Sequence, residues 1–126
     1  MRNIKFRIWC ANKKEWEKNN CVISLSGSLF DMDNRIIMRR ETHILEFSTG
    51  LHDKNGKEIF EGDIVEIIHP CWYSKCKTEF KNGGFIFTEL NNPVENSAVT
   101  TYSFMRNKWK IEVIGNIHDN PELLED

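Results

Sequence analysis

No stretch of this chain stays apolar for long. Its most apolar segments, Ile64-Val65 and Ile67-Ile68, are split by Glu66, far short of the ~20 residues a membrane-spanning helix needs. The basic start, Met1-Arg2-Asn3-Ile4-Lys5-Phe6-Arg7-Ile8-Trp9, lacks the apolar core and small-residue cleavage site of an export signal. A cytoplasmic protein without a membrane partner is therefore expected. Charge of one sign is missing too. Lys and Arg number 17 against 19 Asp and Glu, a net −2, so no global field draws the chain to nucleic acid or an anionic surface. There is no Gly-x-Ser-x-Gly elbow, no phosphate-cradling loop and no dinucleotide fingerprint. Internal repeats, low-complexity linkers and long helical periods are absent as well.

What is present suits one small globular domain. The 126 residues include 14 aromatics (8 Phe, 4 Trp, 2 Tyr), a content that disordered chains do not carry. A chain of this length buries roughly two-thirds of its unfolded surface, enough for a core without staples. In a reducing compartment Cys10, Cys21, Cys71 and Cys76 are expected to be thiols.

The dominant period is two. Ile4, Phe6 and Ile8 alternate with Lys5, Arg7 and Trp9, the pattern of a strand with one dry and one wet face. Further strands are expected at Cys21–Leu25, Arg35–Met38 and His43–Ser48, the last closed by Thr49-Gly50. The segment Asp53-Lys54-Asn55-Gly56-Lys57 signals a hairpin between Leu51 and Ile59-Phe60. There Asp53 can fold its carboxylate onto downstream N–H groups and Gly56 can take a positive φ. Glu61-Gly62-Asp63 is a second corner feeding the β-branched run Ile64–Ile68, which His69-Pro70 stops. Asn82-Gly83-Gly84 predicts another hairpin between Thr78–Lys81 and Phe85–Thr88. Strands follow at Val99–Phe104 and Trp109–Ile114, with Gly115-Asn116 turning the chain. Asn120 as an N-cap, Pro121 and Leu123-Leu124 predict one helical turn docked on the sheet. Short strands between turn signals specify a mainly β fold, a small barrel or roll.

Three blocks carry a resemblance. Phe6-Arg7-Ile8-Trp9, the stretch Gly50-Leu51-His52-Asp53-Lys54-Asn55-Gly56-Lys57-Glu58-Ile59-Phe60-Glu61-Gly62-Asp63-Ile64-Val65, and the stretch from Glu112-Val113-Ile114-Gly115-Asn116 through Leu124 resemble, in order and spacing, the YopX-like family of phage and prophage proteins. The resemblance spans nearly the whole chain, excepting Trp72–Ser97. It implies one domain over 1–126, with N-terminal strands in 1–45 and an SH3-like barrel core in 46–126, encoded in a mobile element and self-associating. It carries over no catalytic residue and no cofactor.

Four groups of residues invite chemistry. Asp53, Glu58, Glu61 and Asp63 have the makings of a metal or acid–base cluster, and a metal-dependent hydrolase would need Asp53, Glu61 and Asp63 to converge. Their place in glycine corners favours a structural role instead, with Asp53, Asn55, Gly56, Gly62, Asp63 and Gly115 as turn formers. His69, Cys71 and Cys76 are zinc-type donors, with His118 as a possible fourth, yet no matching second pair exists. They are read as binding no metal, with Cys71 and Cys76 as loop thiols. Arg106, Lys108, Trp109 and Lys110 combine charge with a stacking surface, the makings of a nucleic-acid face to which Lys75, Lys77 and Lys81 could add. Trp16, Trp72 and Tyr73 lie in polar surroundings, where exposed aromatics anchor partner proteins. The favoured reading is a non-enzymatic protein-interaction module with a phage or host partner, forming homo-oligomers; the alternative is a nucleic-acid accessory protein.

Overall fold

The computed structural model describes residues 5–90 and 98–124. The fold is mainly β, and the chain divides into two compact units, Met1–Phe47 and Ser48–Asp126.

In the first unit, β1 (Phe6–Cys10) pairs antiparallel with β2 (Glu15–Trp16). Next come β3 (Cys21–Ile23), β4 (Leu29–Asp31) and β5 (Ile36–Met38), an antiparallel three-stranded sheet with β4 central. The first half of β6 (His43–His52) lies along β1, with Phe6 opposite Phe47 and Cys10 opposite His43. Ile8, Leu29 and Met38 form the buried core, flanked by Phe6, Cys21, Ile23 and Leu45. The expected wet face of β1 is only partly wet: Lys5 is exposed, Arg7 is half-buried and Trp9 is buried. Trp9 is buried with Ile8 because Trp16 on β2 packs edge-on against it, ring centroids 5.0 Å apart. Arg7, also on that face, donates to the buried Glu46 at 3.0 Å and stacks over Trp16 at 4.3 Å. Both β2 and β4 escape the periodicity argument, being too short to show a period.

The second unit receives the rest of β6, which continues past Ser48 because Gly50 takes φ 83° inside a register shift instead of ending the strand. It pairs with β7 (Glu58–Phe60). Then β8 (Asp63–His69), β9 (Trp72–Lys81), β10 (Gly84–Glu89) and β11 (Ala98–Thr100) precede α1 (Thr101–Asn107) and β12 (Lys110–Asn116). These strands form an antiparallel sheet in the order β11-β10-β9-β8-β12. Its buried side carries Val65, Ile67, Cys76, Phe87 and Ile111, joined by Ile59 from β7. Two hairpins obey their turn chemistry differently. Asn82 and Gly83 both take positive φ, 52° and 83°, while Gly84 is already paired to Lys81. Around Gly56 only the glycine does, at 84°, at the left-handed position of a three-residue loop.

Several further expectations are corrected here. Val99–Phe104 is not one strand: Thr100 caps a helix by accepting from Ser103 N–H at 3.0 Å, and Phe104 packs edge-on against Phe87. Thr and Tyr favour strands, but the cap and the aromatic contact outweigh that preference. Cys76 is no loop thiol; it lies in β9, fully buried, and burial pushes its pKa up to about 11. Gly115 lies within β12 and does not reverse the chain. A Cβ there would sit 2.6 Å from Asn120 Oδ1 and 2.9 Å from Leu123 Cδ1, so glycine is needed for close approach. The 3-10 turn Pro121–Leu124 forms as expected, with Leu123 against the sheet but Leu124 exposed, and Asn120 Oδ1 accepting from Asn116 N–H instead of capping it.

Candidate functional site

The turn carboxylates act as hydrogen-bond acceptors for the backbone. Asp53 Oδ1 accepts from Asn55 N–H at 2.9 Å and Lys57 N–H at 2.8 Å, fixing its own loop. Its Oδ2 accepts from Val113 N–H at 2.9 Å, sixty residues away on β12. Beside it Lys54 N–H donates to Ile111 O at 2.9 Å, and Lys54 Nζ lies 3.3 Å from Glu112 Oε2. The β6–β7 turn thus occupies the outer edge of β12, satisfying backbone groups that would otherwise offer a template to another strand. Burial opposes charge on Asp53, but the N–H donors of Val113, Lys57 and Asn55, aided by the Lys57 charge, hold its carboxyl below the usual range. Asp63 is 1% exposed and accepts from Phe60 N–H at 2.8 Å, closing the Gly62 corner. Glu58 stands 3.7 Å from His52. Among the described residues no three His, Cys, Asp or Glu side chains gather as metal ligands, so Asp53, Glu61 and Asp63 do not converge. His69 Nδ1 accepts from Cys71 N–H across an exposed turn, while Cys76 points into the core.

An equivalent acceptor appears in the first unit. Asp31 takes side-chain donors from Asn19 and Asn34 and backbone donors from Asn34 and Asp33, which lower its pKa against the cost of burial. It fixes the turn between β4 and β5.

The proposed anchors have different fates. Trp16 is half-buried between Trp9 and Arg7, so it is spent on local packing. Tyr73, on β9 of the other unit, is 71% exposed opposite Ile68. The side chain of Trp72 lies outside the described residues. Lys77 and Lys81 both reach Glu79, at 2.8 and 3.2 Å, and are not free for a ligand. Arg106 lies in the last turn of α1, Lys108 is its left-handed C-cap at φ 54°, and Lys110 opens β12, all three exposed around the half-buried Trp109.

Residue reasoning missed another surface. Val22, Phe30 and Ile37 lie directly opposite one another across β3, β4 and β5. Their neighbours Ile23, Leu29 and Met38 face the core, so by alternation this row faces outward. Val22 is 42% and Ile37 69% exposed, with Phe30 half-buried between them. The alternation was present in the sequence, but β4 has only three residues and no pattern could place it.

The arrangement defines a class: a mainly β protein of two units whose turns are locked by buried carboxylates. The family model described as "YopX protein" matches residues 5–125, and the chain belongs to that family. Among solved structures it is similar to protein EF1440 from Enterococcus faecalis, at 28% identity over 98% of this chain and 99% of that one, TM-score 0.63. It also shares the fold of protein yopX from Bacillus subtilis, at 21% identity over 95% and 97% of the two chains, TM-score 0.62. No curated protein matches the chain. Among the described residues no helix is long and apolar enough to cross a membrane.

Proposed function

We propose that this chain is a non-enzymatic protein-interaction module that self-associates, through the outward row Val22–Phe30–Ile37 in place of Trp16, which is spent on local packing. The observation that carries this reading is the in-register exposure of three apolar side chains on one sheet face. Two copies meeting there by a two-fold axis would bury each row against its twin. The row is small beside the 20–30 residues per side of a standard interface, so the association is weak, with Kd on the order of 10 μM. Compartment and partners follow the same reading: host cytoplasm, a mobile-element gene, and further phage or host proteins. An SH3-like barrel in the second unit is also part of this proposal, supported by the curled order of β8 to β12 and the docking of the β6–β7 turn on β12.

Size-exclusion chromatography with light scattering tests it. Ile37→Lys places a charge in the row at an exposed position, where the fold tolerates it. The expected result is a mass that rises with concentration for the parent and stays monomeric for the variant. Equal behaviour of the two would refute the assignment to this face.

A further inference from the structure

One cleft in the second unit combines features that the association does not use. It measures about 490 Å³, within the usual size of ligand pockets, and lies where His69-Pro70 ends β8 and α1 gives way to β12. Ile68 and Trp109 supply apolar wall; Lys108, Lys110 and Asn107 supply donors. Among the described residues no carboxylate lines it, and neither Lys108, Lys110 nor the adjacent Arg106 is ion-paired. The nearest acid along β12, Glu112, is engaged by Lys54. Trp109 is held in place by the core and by the edge-on ring of His69, centroids 5.9 Å apart. A fixed indole beside unpaired cations suits a ligand with a flat ring next to a negative charge.

We propose that this cleft binds single-stranded nucleic acid, one base lying against Trp109 with its phosphate on Lys108 and Lys110, and Arg106 on a neighbouring phosphate. Base stacking and backbone neutralisation are how small β folds hold single strands without sequence preference. With a net charge of −2 the attraction is local. About three phosphates give a salt slope near −2, hence a roughly fifteen- to twentyfold loss of affinity between 50 and 200 mM salt. The site is independent of the apolar row in the first unit, and its test reads a different property.

The experiment is fluorescence anisotropy with a labelled oligothymidylate of about 12 nucleotides, using the whole chain and the double variant Lys108→Gly, Lys110→Thr. Lys108 already holds φ 54°, a conformation glycine adopts freely, and Lys110 is an exposed strand residue. The variant therefore keeps its fold, which circular dichroism checks; Arg106→Gln supplies a second, helical substitution. The expected result is at least tenfold weaker binding by the double variant, about threefold by Arg106→Gln, and a shallower salt slope in each. Unaltered binding by the double variant would overturn the assignment, as would no binding by the parent at 50 mM salt. Inorganic phosphate displacing the strand would reduce the site to a simple anion site, and polyglutamate displacing it as well as unlabelled oligothymidylate would point to an acidic protein partner; either result rejects the proposal.

Discussion

Asp53→Asn keeps the shape of the side chain and removes its charge. The carboxylate now serves three N–H groups, two in its own loop and Val113 on β12. An amide has one oxygen. If that oxygen stays with Asn55 and Lys57, the new NH2 group faces Val113 N–H, donor against donor, at a residue only 7% exposed. One buried unsatisfied donor costs about 1–3 kcal/mol, and the two surviving bonds each lose charge assistance worth about 0.5–1 kcal/mol. The expected loss is about 2–5 kcal/mol, a large share of the 5–15 kcal/mol that holds a typical domain. Urea denaturation followed by circular dichroism measures it, and amide hydrogen exchange localises it to Val113 and Lys54. Acid supplies a control of sign. The folded-state pKa of Asp53 lies below its ordinary value, so its contribution is complete above about pH 3.9 and disappears as pH falls through the folded value. The parent and Asp53→Asn curves should therefore approach each other below about pH 4. A variant within about 0.5 kcal/mol of the parent at pH 7, with Val113 still protected, would refute the reasoning.

Other substitutions probe other parts of the account. Gly115→Ala should cost about 1–3 kcal/mol and expose the 3-10 turn to limited proteolysis, because its Cβ would meet Asn120 and Leu123; unchanged stability would show that the turn yields freely. Native protein should react with a thiol reagent at exposed Cys71 while Cys76, raised to about 11 and buried, reacts only on unfolding; mass mapping of labelled peptides checks this. Lys108→Gly should stabilise by about 1 kcal/mol by relieving a left-handed backbone, as read by a higher melting temperature.

Legibility in the sequence followed the strength of local chemistry. Asn55-Gly56 and Asn82-Gly83 announce their hairpins because few residues accept positive φ, and Ile64–Ile68 announces a buried strand by its β-branched content. The first role of Asp53, folding onto its own loop, follows from residue type and spacing. Its second, reaching Val113 sixty residues on, does not. That contact is created by tertiary closure, which no local pattern encodes. The same limit hid the burial of Cys76, whose neighbours Lys75 and Lys77 make it look like a polar segment, and the helix after Thr100, whose Thr-Tyr composition favours a strand. Trp16 seemed exposed because its sequence neighbours are charged, yet Trp9 and Arg7 cover it from another strand. The surface proposed for self-association required three strands to be aligned before its residues formed a row.

Sedimentation equilibrium of the unmodified chain, from a few micromolar to several hundred, addresses the functional reading most directly. The account predicts an average mass that climbs from 14.9 kDa toward twice that value as concentration passes the dissociation constant. A mass fixed at the monomer across that range would contradict it.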